Sequence, residues 1–122
     1  ASPVASSPDY LVIMDNLSLQ RLQNQTVSGG EVFINTSIVT SRPVRGDIDV
    51  VEIPVNELAV RTVGERYANM IMLGAFVSWT RLVKISTLID NMGEILGKGK
   101  ERFKDRNIEA LKTGYDFFSR ET

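Results

Sequence analysis

The chain has 122 residues and a mass of 13.6 kDa, with 43% hydrophobic and 24% charged side chains, 14 basic against 15 acidic, and neither cysteine nor histidine. That length suits one globular domain able to bury about two-thirds of the surface its unfolded chain exposes. The missing residue types exclude a disulfide, a thiolate zinc or conventional iron–sulfur site, an imidazole ligand and a Ser-His-Asp triad on this chain, and a net charge of −1 argues against a general nucleic-acid binder.

The opening Ala1–Pro8 is rich in proline and serine, so residues 1–9 read as a linker, and it has neither the basic start nor the apolar core of a secretory signal. The chain therefore reads as cytoplasmic, and the three glycosylation sequons at Asn16, Asn24 and Asn35 read as coincidental. Tyr10–Met14 is a continuous apolar run ending in Asp15-Asn16, the pattern of a strand buried on both faces. Leu19 and Leu22 fall three apart among polar residues, which predicts a surface helix over Leu17–Thr26 with Asn16 or Ser18 as N-cap and Gly29-Gly30 as its stop. Glu31–Asn35 gives a second strand, and the strand-helix-strand order implies a right-handed parallel crossover. After a loop over Thr36–Gly46, Asp49–Ile53 forms a third strand closed by Pro54, which cannot donate to a ladder.

From Val55 onward the apolar spacing becomes helical. Asn56 is placed to cap a short helix through Arg61, Gly64 breaks it, and Tyr67–Thr80 is an apolar helix too short to cross a bilayer core that asks for about 20 residues. Ser86 is placed to cap a segment carrying Leu88, Ile89, Met92, Ile95 and Leu96 at helical spacing, ended by Gly97 and Gly99. A last helix over Glu101–Arg120 sets Phe103, Ile108, Leu111, Tyr115 and Phe118 largely on one side. The expected whole is a single α/β domain over 1–122 with a strand-rich part at 10–54 and a helical part at 55–122: a Rossmann-like three-layer fold on a short parallel sheet. Three strands are fewer than such sheets usually hold, so strands upstream or a partner would cover the open edge.

Gly93–Gly99 fails the P-loop on spacing and lacks its terminal hydroxyl, and Gly29-Gly30 precedes a strand instead of opening a helix, so both read as turns. Asp47, Asp49 and Glu52 could share a hard cation but read as solvated edge charges, and Met14, Met70, Met72 and Met92 read as core filling. Lys98–Arg106 gathers five basic and two acidic residues around Phe103, most cheaply explained as a solvated first turn of the last helix. In open parallel sheets ligands and partners gather beyond the carboxyl ends of the strands. That rule selects Asp15-Asn16, Asn35-Thr36-Ser37 and Pro54-Val55-Asn56, and within those clusters Asn16, Thr36, Ser37 and Asn56 as cofactor-binding or interface candidates. Asn69 joins them as an amide inside an otherwise apolar helix, which must be tied internally or face a partner. No catalytic residue and no metal ligand is assigned.

Several blocks, taken in order, resemble one family. They are Pro8–Asn16, Gly29–Ser37, Ile53–Ala59, Arg66–Ala75 with its R-x-A-N-M…L-G-A pattern, and Asn107–Tyr115. The chain is similar over essentially its whole length to the gamma subunit of 2-oxoacid:ferredoxin oxidoreductases, the R-x-A-N-M…L-G-A block being the most specific element. The resemblance implies one component of a complex for coenzyme A-dependent oxidative decarboxylation of a 2-oxoacid, with electrons passed to ferredoxin. It implies thiamine diphosphate and iron–sulfur clusters in alpha, beta and delta type partners, no cofactor held by this chain alone, and a Rossmann-type unit that packs on the catalytic subunits and helps shape the coenzyme A side of the site. Family members begin with a βαβ unit and a G-x-G-G-Q-G turn that this sequence does not contain, which makes it the remaining two-thirds of a subunit or a reduced domain. Two further readings stay open: a stand-alone α/β binding module for a nucleotide or acyl carrier, and a homo-oligomeric domain that pairs with itself. No nucleic-acid or membrane partner is expected.

Overall fold

The computed structural model describes residues 9–121, with side chains to residue 119, and these form two compact units that meet in sequence at Pro54 and Val55. The linker expected over 1–9 lies outside the described residues except for Asp9.

The first unit contains β1 (Tyr10–Ile13), α1 (Asn16–Leu22) followed by a 3-10 turn (Gln23–Gln25), β2 (Glu31–Asn35) and β3 (Asp49–Ile53). The three strands form one parallel sheet in the order β1-β2-β3, so β2 is central. The register sets Ile13 beside Ile34 and Asn35 beside Ile53. Because side chains alternate along a strand, one face collects Leu11, Ile13, Val32 and Ile34, and Leu19 and Leu22 of α1 close on it together with Val39 and Ile48.

Only β2 matches the expectation of a fully buried strand. Val12 on β1 is 40% exposed, and Asp49, Val50 and Glu52 on β3 are exposed while Val51 and Ile53 are buried. The apolar runs at the two edges report β propensity and one covered face, which a run of consecutive apolar residues does not distinguish from two. The cap of α1 also differs: the Asp15 carboxylate accepts from Ser18 N at 2.8 Å, because Asp15 still has extended backbone whereas Asn16 is already helical. The α-helix stops at Leu22, earlier than Thr26, and tightens into the 3-10 turn before Gly29, whose φ of 86° suits a residue without Cβ.

The second unit is helical: α2 (Val55–Arg61), a 3-10 turn (Glu65–Tyr67), α3 (Ala68–Thr80), α4 (Ile85–Asp90), α5 (Met92–Leu96), a 3-10 turn (Glu101–Phe103) and α6 (Lys104–Glu121). No helix among the described residues is long and apolar enough to cross a membrane. Asn56 does not cap α2, since the helix already includes Val55. Gly64, with φ 108°, terminates that helix by donating its N–H to Ala59 O at 2.7 Å.

The segment expected to start at Ser86 begins at Ile85 and is two short helices. Asn91 divides them, its side-chain amide donating to Thr87 O at 2.8 Å in competition with the helical ladder. Helices α3 and α6 cross backbone against backbone. A Cβ on Gly74 would collide with the Leu111 carbonyl, and one on Gly114 with the Ile71 carbonyl. Ile71, Met72, Ala75, Ala110 and Leu111 are buried around that crossing. Of the four methionines expected in the core, Met72 and Met92 are buried and Met14 and Met70 are half-buried.

Candidate functional site

In the first unit the carboxyl edge of the sheet is built by polar side chains that order a single loop. Asn35, the last residue of β2, is only 1% exposed. Its side-chain oxygen accepts from Ser37 N at 3.1 Å, and its backbone carbonyl accepts from Ile38 N and Val39 N at 3.2 and 2.9 Å. Thr36 N donates to Ile53 O at 2.9 Å, tying the turn to β3. Asn16 reaches the same loop from α1. Its Oδ1 accepts from Thr40 N at 2.9 Å and its Nδ2 donates to Ile38 O at 3.3 Å. The structure thus brings Asn16, Thr36 and Ser37 together around the 36–40 loop, which is held by the Asn16 and Asn35 side-chain amides and by the backbone N–H groups of Thr36 and Ser37.

At the opposite edge, Arg45 binds Asp47 through two hydrogen bonds, 2.9 Å from Nε and 2.7 Å from Nη2. The same guanidinium donates to Thr26 O at 2.5 Å and to Gln23 O at 3.3 Å, so it links the 36–48 connection to the turn before β2. Hydrogen bonding from Arg45 holds the Asp47 carboxyl down at about 2, with Ser28 adding in the same direction. Asp15 is also lowered, chiefly by the backbone N–H of Ser18. Glu52 accepts from Arg42 at 2.6 Å. Asp47 and Glu52 are therefore committed to arginines, and among the described residues no three carboxylates gather to hold a metal ion.

In the second unit, Asn56 donates to Glu65 Oε2 at 3.3 Å, bracing α2 against the turn that precedes α3. Asn69 lies in the first turn of α3, is exposed, and its side-chain amide makes no hydrogen bond among the described residues. A helix with apolar residues on most of its circumference still leaves one stripe open at its first turn, and Asn69 sits there. Trp79 is 46% exposed near the other end of α3 and meets Phe118 at 4.8 Å between ring centres with the ring planes tilted by 58°. Leu82 and Val83 follow it, 58% and 43% exposed.

Sequence reasoning passed over two features. Asn35 served only as part of a strand end, although a lone amide closing a run of buried apolar residues signals a side chain that must be satisfied internally. Arg66, from the turn before α3, completes a group of cations around Phe103 that the 98–106 segment by itself does not reveal.

Comparison with known proteins matches residues 1–117 to the family model described as pyruvate ferredoxin/flavodoxin oxidoreductase. The chain is 31% identical over 112 residues to pyruvate synthase subunit PorC of Methanothermobacter thermautotrophicus, covering 90% of this chain and 59% of that protein. It is 30% identical over 113 residues to the same subunit of Methanothermobacter marburgensis, covering 90% and 60%. It thus spans about 60% of the length of these curated relatives. Among solved structures it is similar to a keto/oxoacid ferredoxin oxidoreductase gamma subunit from Geobacter sulfurreducens, with a TM-score of 0.76 and 23% identity over 88% of this chain and 62% of that one. It is also similar to pyruvate oxidoreductase subunit PORC of Thermotoga maritima, with a TM-score of 0.66 and 21% identity over 95% and 66%. At these identities the two structures support the α/β fold.

Proposed function

The chain belongs to the pyruvate ferredoxin/flavodoxin oxidoreductase family, and from that premise we propose that it is a gamma-type component, whole or in part, of a 2-oxoacid:ferredoxin oxidoreductase. The complex would decarboxylate a 2-oxoacid oxidatively, transfer the acyl group to coenzyme A and pass electrons to ferredoxin. The single observation that carries this reading is the family match over residues 1–117, because it takes in both the strand unit and the helical unit.

The chemistry of the chain fits a role by assembly. Iron–sulfur clusters in such an enzyme call for thiolate ligands, and with no cysteine this chain offers none. Asp47 and Glu52 at the sheet edges are engaged by arginines, Asp15 caps α1, and the Asn16 and Asn35 side chains hold the 36–40 loop in place. By the family resemblance, thiamine diphosphate and the clusters would reside in alpha, beta and delta type partners. Asn69, exposed on α3 within the R-x-A-N-M…L-G-A block, is the first position assigned to the partner-facing surface.

The test is recovery of the affinity-tagged chain from its own host, followed by a 2-oxoacid- and coenzyme A-dependent dye-reduction assay of the eluate. Activity that co-elutes with the chain, and that falls at least tenfold in the Asn69→Arg eluate while the variant folds normally, is expected. An eluate with no such activity and no other chain in stoichiometric amount contradicts the proposal.

A further inference from the structure

The helical unit contains a cation cluster to which the proposed function assigns no role. The guanidinium carbon of Arg66 lies 4.3 Å from the centre of the Phe103 ring and that of Arg102 4.5 Å, with Lys100 Nζ at 5.8 Å. Arg66 comes from the turn before α3, whereas Lys100 and Arg102 come from the turn before α6, so tertiary packing and not local sequence brings them to one ring. A recess of about 230 Å³ opens there, lined by Arg66, Tyr67, Leu96, Lys100, Phe103 and Asn107. Asn107 is 8% exposed, and its Nδ2 donates to Phe103 O at 2.9 Å, fixing the backbone that carries the ring.

Stacking on an aromatic ring engages a guanidinium by its face and leaves its N–H edge available in the plane. Among the described residues Arg66 donates no hydrogen bond, and Arg102 makes only a long one, 3.4 Å to Gly99 O. The ion pairs of the described residues all lie elsewhere, so none of these three cations is neutralised by a carboxylate. Three like charges held around one ring repel each other, and an arrangement with donors to spare and no direct ion pair among the described residues suits an incoming anion.

We propose that the Phe103 recess binds a phosphate-class oxyanion, with the edge of Arg66 and the ammonium of Lys100 as its direct partners. Arg102, braced on the same ring, adds positive potential. A dianion with three or more acceptor oxygens matches this donor set better than a single carboxylate does. The inference rests on the recess alone and stands apart from the family reading.

The experiment is a titration of the full 122-residue chain with inorganic phosphate at ionic strength held constant with sodium chloride, followed by the amide shifts of Lys100, Phe103 and Asn107. Saturable shifts confined to the recess are expected. Arg66→Gln should weaken binding at least tenfold, while Lys98→Gln, a cation of the same segment outside the recess, leaves it unchanged. Should Arg66→Gln fail to fold, Lys100→Gln takes its place with at least threefold weakening expected. The proposal is overturned by shifts that chloride reproduces equally, by unchanged binding in the folded recess variant, or by a polyglutamate peptide saturating the recess where phosphate does not.

Discussion

Asp47 and Thr26 both accept hydrogen bonds from the Arg45 guanidinium and show how one residue orders a loop. The Arg45 hydrogen bonds favour the charged form of Asp47 and lower its carboxyl from an ordinary 3.8 to about 2. A depressed folded value means that the carboxylate contributes stability above the unfolded value of 3.8, and that this contribution is lost as pH falls from there through about 2. Carboxyl NMR titration should therefore find Asp47 titrating near 2, and in Arg45→Gln its midpoint should return toward 3.8. A wild-type midpoint at the ordinary value would remove the clamp. Thr26 is 2% exposed and its hydroxyl oxygen has no partner among the described residues. Thr26→Val removes that unpaired group at nearly constant shape, and urea unfolding should find the variant as stable as wild type or up to about 1 kcal/mol more stable. The sequence reads Asp47 as a solvated edge charge and is silent on Arg45, because a grip between residues two apart exists only once the loop has turned. Asn16 was legible as a residue of the carboxyl edge, but its task of holding the 38–40 backbone depends on where that loop passes.

The elements divide according to how local their causes are. All three strands were legible within one residue, since an apolar run ending at a polar residue or at Pro54 depends on the chain nearby. Helix starts were less so: Asp15 and not Asn16 caps α1, and α2 begins ahead of Asn56, because the backbone path fixes which of several capable residues is still extended. The α4–α5 break at Asn91 was hidden because Leu88, Met92, Ile95 and Leu96 keep helical spacing straight through it. The crossing of α3 and α6 could not be read from either helix alone, as it rests on two glycines 40 positions apart in sequence, Gly74 and Gly114. Gly114→Ala should cost about 3 kcal/mol, since its Cβ meets the Ile71 carbonyl, which has no rotamer in which to yield. Gly93→Ala, in α5 with open space around it, should instead stabilise by about 0.4–1 kcal/mol. Urea unfolding followed through Trp79, the sole tryptophan and a neighbour of Phe118 on α6, reads both. Equal stability of the two variants would contradict the close crossing.

At the scale of the whole molecule, family membership was legible because blocks from the strand unit and the helical unit follow one another in a fixed order, which no single motif supplies. What the molecule assembles with was not legible in the same way, since the matching surfaces lie on other chains. The observed exposures suit a component that buries more surface in company: β1 and β3 are half-open, and Asn69, Trp79, Leu82 and Val83 face outward. Exposed apolar side chains of this size are commonly covered where subunits meet. The most direct measurement is the native mass of the tagged chain recovered from its host under non-denaturing conditions. Assembly predicts a species several times heavier than 13.6 kDa that contains thiamine- and cluster-bearing chains in fixed ratio. A species at 13.6 kDa, or at a small multiple built of this chain alone, would contradict it.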